Sequence, residues 1–297
     1  MSAFTKWVTA DGSSGHKAEA GRYHLYFSWA CPFAHRAMIA RKLKGLEDVI
    51  SASTTDPAKD ERGWAFLKNK DPVNNCSFLK EIYQLAVPNF DGRVSVPVLW
   101  DKKEKTIVNN ESAEILRMLN KEFNMFCKTK EQAELDLYPD SLKSKIDEVN
   151  EWVAPLINGG VYRVGFATTQ EAYDASVNKL FEGLDKAEAI LAKSRYLTGN
   201  TLTDADVRLF ATLVRFDTIY HGLFKCNKKR IMDYPNLWDY ARDIYQHDGI
   251  GKSTVDMEYS KISYMKGMLH INPHGIVSAG PHVDFDIPHD RKKTFPG

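Results

Sequence analysis

The hydrophobic periodicity of this chain changes once, near residue 123, and that change limits the fold more than any single motif. Between Tyr23 and Phe123 short β-like runs alternate with helical ones: YHLYFSW, FAHRAMIARKLKGL, DVISAST, VSVPVLWD, KTIVNN and ESAEILRMLNKEF. The order predicts a β-α-β unit, two further strands and a helix. Beyond Tyr138 the strand signals fade, and long amphipathic segments replace them: SLKSKIDEVNEWVAPLI, TQEAYDASVNKLFEGLDKAEAILAKS, TDADVRLFATLVRFDTIYHGLF and NLWDYARDIYQHD. We therefore expect an α/β domain over residues 1–123 with an N-terminal extension and a long insertion, and a linker over 124–140. An all-helical domain over 141–270 and an irregular extension over 271–297, rich in Pro and Gly, complete the division. The 297 residues suit two domains, at roughly 100–200 residues each.

Charge and cysteine content narrow the function. Lys plus Arg number 40 against 39 for Asp plus Glu, a net charge of +1, so there is no electrostatic footprint for nucleic acid. No stretch approaches the roughly 20 apolar residues of a membrane span, and the opening MSAFTKWVTADGSSGHK lacks the apolar middle of a secretory signal. A soluble, cytoplasmic protein without a membrane partner is the expectation. The four cysteines, Cys31, Cys76, Cys127 and Cys226, are scattered, with no Cys-x-x-Cys pair and no His/Cys cluster at ligand spacing. Neither a disulfide framework nor a metal site is expected. Aromatic residues, at 11%, can fill cores or line a pocket for an aromatic ligand.

Three features of the first domain bear on chemistry. In SWACPFAHR, Cys31 precedes Pro32, a residue suited to the first position of a helix. Cys31 then stands at the positive end of the helix dipole near unsatisfied backbone N–H groups, which favours thiolate, and Arg36 adds charge one turn on. Ala34 occupies the place of a second cysteine, so any disulfide formed here needs an external thiol. The competing reading is a cysteine that packs as a small hydrophobe. In SVPV, Pro97 interrupts ladder bonding, placing Val96 at an edge or before a cis bond, where its backbone can pair with an extended peptide ligand. In NNESAEIL, Glu111 and Ser112 open a helix that is either simply capped or a site for the carboxylate and ammonium of an amino acid.

Taken in this order and followed by an all-helical domain, these features resemble the cytosolic glutathione transferase fold, a thioredoxin-like domain joined to a helical one. TGNTLTDADVRLF, with Thr203 and Asp206 at capping-box spacing, is similar to the helix-start motif of that family's second domain. SWACPFAHRA, RGWAF, DGRVSVPVLWD, NNESAEI, NGGVYRVGFATTQEAYD and HINPHGIVSAGPHVDF further resemble the Xi class, the glutathionyl-hydroquinone reductases, over Tyr23 to Arg291. The long segment between Thr55 and Val94 and the tail after Tyr264 are also features of that class.

The resemblance implies glutathione as co-substrate, with Cys31 as nucleophile and glutathione contacts at Trp64, Arg93, Val96, Pro97, Glu111 and Ser112. It implies Tyr162 and Tyr264 at the quinol, aromatic quinol conjugates as substrates, and a homodimer. The implied chemistry is attack of Cys31 on the glutathionyl sulfur, giving a mixed disulfide that a second glutathione resolves. Two positions depart from the class pattern: Phe33 stands where Trp is usual, and Ser263-Tyr264-Met265 replaces His-Tyr-Tyr. His35 and Arg36 look like signature residues with no partner evident in the sequence. An Omega-like thioltransferase or dehydroascorbate reductase, and a non-catalytic binding protein of the same fold, remain as alternatives.

Overall fold

The structure, a computed structural model, describes residues 4–57 and 62–296. Strand β1 (Tyr23–Phe27) is buried along its whole length because both of its faces are covered. The Tyr23 ring meets Phe123 edge-on at 5.9 Å. Three residues on, and so on the opposite face, the Tyr26 ring lies 5.9 Å from Phe66. Strand β2 (Ser51–Thr54) pairs parallel with β1, and β3 (Val98–Asp101) pairs antiparallel on the other side. β4 (Thr106–Asn109) completes a sheet of order β2-β1-β3-β4. Parallel neighbours need a crossover, which α1 (Pro32–Leu43) supplies. α1 packs against α3 (Ser112–Lys121).

Between β2 and β3 the structure adds α2 (Leu79–Ala86), where the sequence reading had only a long insertion. The Glu81 carboxylate accepts from the Ser77 and Phe78 N–H groups, each at 2.7 Å, and holds its first turn. Leu79, Ile82 and Tyr83 are buried, but two turns are too short for a periodicity to stand out.

The chain divides into two compact units. The first runs to Asp136 and takes in Thr254–Gly267; the second comprises Leu137–Ser253 and the chain from Met268 onward. The Met257–Gly267 helix, expected within the helical domain, therefore belongs to the first unit. The expected linker is also partly built into that unit, since buried Lys44 donates to the carbonyls of Ala133, at 3.3 Å, and Leu135, at 2.7 Å. In the N-terminal extension, His16 lies 3.0 Å from the buried Asp101 carboxylate, which also accepts from Arg22 Nη2 at 2.6 Å.

The second unit is helical, as its patterning predicts, with principal helices Lys143–Val153, Gln170–Leu191, Asp204–Arg215 and Pro235–Gln246. The Thr203–Asp206 spacing forms its bonds. The Asp206 carboxylate accepts from the Thr203 N–H and hydroxyl, both at 2.8 Å, from the Leu197 N–H at 2.9 Å and from the Tyr240 hydroxyl at 3.0 Å. The tail is held by buried Arg291, which donates to the carbonyls of Leu191 and Arg195.

Candidate active site

The start of α1 follows from two adjacent residues. Pro32 opens the helix, and Cys31 before it has the extended backbone of an N-cap, with φ −78° and ψ 114°. The Cys31 carbonyl takes the first intrahelical bond from His35 N–H at 3.0 Å, and its own N–H donates to Ser28 at 3.0 Å. These bonds leave the sulfur facing the helix start, where it accepts from the Ala34 N–H at 3.4 Å. On another side Sγ lies 3.7 Å from the Val96 carbonyl. The first contact favours thiolate, because it sits at the positive end of the dipole, whereas the second favours the protonated thiol.

Val96 is joined to Pro97 by a cis peptide bond. It lies just outside the ladder, whose register with β1 ends at Val98. Glu111 is the N-cap of α3: its Oε1 accepts from the Ala113 N–H at 3.3 Å and lies 3.4 Å from Ser112 Oγ. The carboxylate that could take a ligand ammonium is thus also the helix cap.

Arg36 and His35, without partners in the sequence reading, are both buried. Arg36 donates to Ser112 Oγ at 3.4 Å with its guanidinium 4.7 Å over the Phe33 ring, linking the starts of α1 and α3. His35 Nε2 and Thr254 Oγ1 share a hydrogen bond at 2.8 Å. Trp64 is half-buried and its carbonyl accepts the Leu79 N–H at 2.9 Å, while Arg93 is exposed.

Tyr264 is buried on the Met257–Gly267 helix between Ser263 and Met265, also buried. Tyr162 belongs to the second unit, on the Gly160–Gly165 helix, with its ring 5.4 Å from Phe224 and 5.9 Å from Phe166. Gly165 permits that cluster, since a Cβ there would overlap Phe224.

The remaining cysteines sit in different surroundings. Burial pushes the Cys76 thiol up to about 11, raises Cys127 against the pull of Lys44, and raises Cys226 further. A cavity of about 510 Å³, lined by residues including His24, Ser51, Trp100 and Lys102, contains none of the candidate residues. Among the described residues, no group of three His, Cys, Asp or Glu side chains is arranged to hold a metal. Nor is any described helix long and apolar enough to cross a membrane.

Sequence reasoning missed Tyr259 and Ser260, which reach the turn before Cys31. The only local signal is a pair of polar residues in a helix of otherwise mixed character.

Residues 30–122 match the glutathione S-transferase N-terminal domain, and residues 170–243 match its C-terminal domain. The chain is 50% identical to the glutathionyl-hydroquinone reductase YqjG of Escherichia coli, over 99% of this chain and 92% of that protein. It is 46% identical to the glutathionyl-hydroquinone reductase PcpF of Sphingobium chlorophenolicum, over 90% of this chain and 85% of that protein. The glutathione-bound structure of YqjG superimposes with a TM-score of 0.94, covering 98% of this chain and 97% of that one. The glutathione transferase Xi of Phanerochaete chrysosporium, 47% identical, does so with a TM-score of 0.92 over 98% and 99% of the two chains. A thioredoxin-like sheet with a Cys-Pro helix start, a helical second unit and this likeness over nearly its whole length make the chain a member of the glutathione transferase family, in its Xi class.

Proposed function

We propose that this protein is a glutathionyl-hydroquinone reductase that works through a Cys31 mixed disulfide. The observation that carries the mechanism is the Cys31 sulfur at the N-cap of α1, accepting from Ala34 N–H and facing the Val96 carbonyl. The activity is that of relatives 46% and 50% identical over most of the chain.

Cys31 thiolate attacks the sulfur of the glutathionyl-hydroquinone. The sulfur–ring carbon bond breaks, a Cys31–glutathione disulfide forms, and the ring carbon takes a proton. The thiol sulfur is oxidised as the ring is reduced. A second glutathione then attacks the mixed disulfide, releasing oxidised glutathione and restoring the thiolate. In this reading the cysteinyl backbone of glutathione pairs at Val96 beside Pro97, and its γ-glutamyl end meets Glu111 and Ser112. Trp64 and Arg93 complete the glutathione contacts. Tyr162 and Tyr264 bind the quinol hydroxyls and supply the proton. In this reading the protein acts as a cytoplasmic homodimer.

The test is turnover of glutathionyl-hydroquinones beside a small mixed disulfide of glutathione and mercaptoethanol. Wild type reduces both, and Cys31→Ser reduces neither. Tyr162→Phe and Tyr264→Phe lose quinol turnover more than disulfide turnover. Equal losses on both substrates make the protein a general thioltransferase instead.

A further inference from the structure

The Thr254–Gly267 segment leaves the helical half of the sequence to join the first unit, and it does so at the turn that carries Cys31. Tyr259 donates its hydroxyl hydrogen to the Thr55 carbonyl at 2.5 Å, and its oxygen lies 3.3 Å from both Ser28 Oγ and Thr55 Oγ1. One phenol thus bridges the chain just after β1 to the chain just after β2. Ser260, fully buried, shares its hydroxyl hydrogen between the Trp29 carbonyl at 2.9 Å and the Asp256 carbonyl of its own segment at 2.7 Å. Thr254 meets His35 on the other side of the cysteine. Ser28 and Trp29 before Cys31, and His35 after it, are therefore all held from one segment.

These groups are buried, with Ser28 at 1%, Ser260 at 0%, Thr254 at 2% and His35 at 2% exposure. Left unpaired, each would carry the desolvation cost of a buried polar group. Apolar packing alone would hold a helix here without that risk. Polar pairing adds direction, and the direction converges on the turn at residues 28–35. Ser260 and Tyr264 are also four residues apart and so share one face of the helix. The bond from Ser260 to Trp29 consequently sets the register in which Tyr264 is presented.

We propose that Tyr259 and Ser260 are positioning residues: they fix the Ser28–His35 turn, hence the direction of the Cys31 sulfur, and keep Tyr264 in register with it. The proposal rests on the reading of Cys31 as the reacting thiol, but its first readout does not require turnover.

The experiment compares Tyr259→Phe and Ser260→Ala with wild type in the full chain. It measures the iodoacetamide rate at Cys31 at one fixed pH, kcat and KM on a glutathionyl-hydroquinone and on a small mixed disulfide, and the thermal midpoint. Both variants should change the Cys31 alkylation rate several-fold. They should also lower kcat about 10-fold or more, the scale of a misplaced reacting group, with KM for glutathione unchanged. Disulfide turnover should fall along with quinol turnover, because the shared nucleophile has moved. Wild-type alkylation and kcat in both variants overturn the proposal, as does a change confined to KM. Tyr259→Phe removes a single oxygen and decides the question if Ser260→Ala does not fold. The nucleophile reading fails separately, if Cys31→Ala retains full turnover while the alkylation shifts of the two variants persist in the Cys31 protein.

Discussion

The four cysteines provide an internal control for the chemistry assigned to Cys31. In Cys76 burial pushes the thiol up to about 11. At about pH 7 such a thiol is roughly 0.01% thiolate, whereas an unperturbed thiol near 8.5 is about 3%, a ratio of about 300. Thiolates of higher pKa are intrinsically more nucleophilic, and a Brønsted slope of about 0.45 over about 2.5 units returns a factor of about 13. The net preference is about 20-fold for an unperturbed thiol over Cys76 before steric access is considered. The Ala34 N–H on Cys31 Sγ, at 3.4 Å, and the greater exposure of Cys31 act in the same direction, and the Val96 carbonyl at 3.7 Å acts in the opposite one. Wild-type protein, treated under native conditions with a limiting pulse of iodoacetamide, digested and quantified by mass spectrometry, should therefore carry on the order of 20 times more label at Cys31 than at Cys76. Cys226, buried and raised further, should label last. Equal rates at Cys31 and Cys76 in folded protein would refute the argument, since the helix start would then confer no reactivity beyond packing.

Two further outcomes concern the scaffold. Asp206→Ala leaves the Leu197 N–H, the Thr203 N–H and the Tyr240 hydroxyl without their acceptor in the interior, and should cost about 3 kcal/mol or more in denaturant unfolding, against less than about 1 kcal/mol for an exposed aspartate. At Asp101 burial raises the carboxyl, but bonds from Arg22, His16 and two backbone N–H groups outweigh it and hold it below its ordinary value. Its stabilising contribution is therefore present above about pH 4, the unfolded value, and is lost as pH falls through the lower folded value, so the stability gap between wild type and Asp101→Asn should narrow on acidification; a gap that widens contradicts this.

The parts of the fold encoded locally were legible. The aromatic run before Cys31, the proline after it and the Ala-rich stretch beyond specify strand, N-cap and helix within one local stretch from Tyr23 to Leu43, and the structure has them in that order. Glu111 and Ser112 at the start of α3 and the Thr203–Asp206 box are equally local. What the sequence did not disclose depends on partners far along the chain. The hydroxyl of Tyr259 reaches Thr55 across 204 residues, and no periodicity encodes such a pairing. Arg36 and His35, polar residues on a helix, carry no mark of which face will be covered. They are buried because α3 meets one and Thr254 the other. Helix α2 escaped for a different reason: apolar residues at Leu79, Ile82, Tyr83, Leu85 and Ala86 crowd a segment of only two turns, too short for a helical period to stand out.

In the proposed cycle the residue three places after Cys31 is as constraining as Cys31 itself. Where a Cys-x-x-Cys site resolves its own mixed disulfide with the second thiol, this chain has Ala34, and what that residue contributes is its backbone N–H to Sγ. The other cysteines are poor substitutes. Cys76 and Cys226 are buried and their thiols are raised, so neither supplies appreciable thiolate near neutrality, and burial raises Cys127 as well. A Cys31–glutathione adduct should therefore persist until a free thiol arrives from solution, and the second half of the cycle should depend on glutathione concentration. Protein incubated with oxidised glutathione and freed of excess should keep one glutathionyl group, at Cys31, by intact-mass measurement, and lose it only when glutathione is added. Spontaneous loss with formation of an internal disulfide would show that another cysteine reaches the site and would remove the argument for an external resolving thiol.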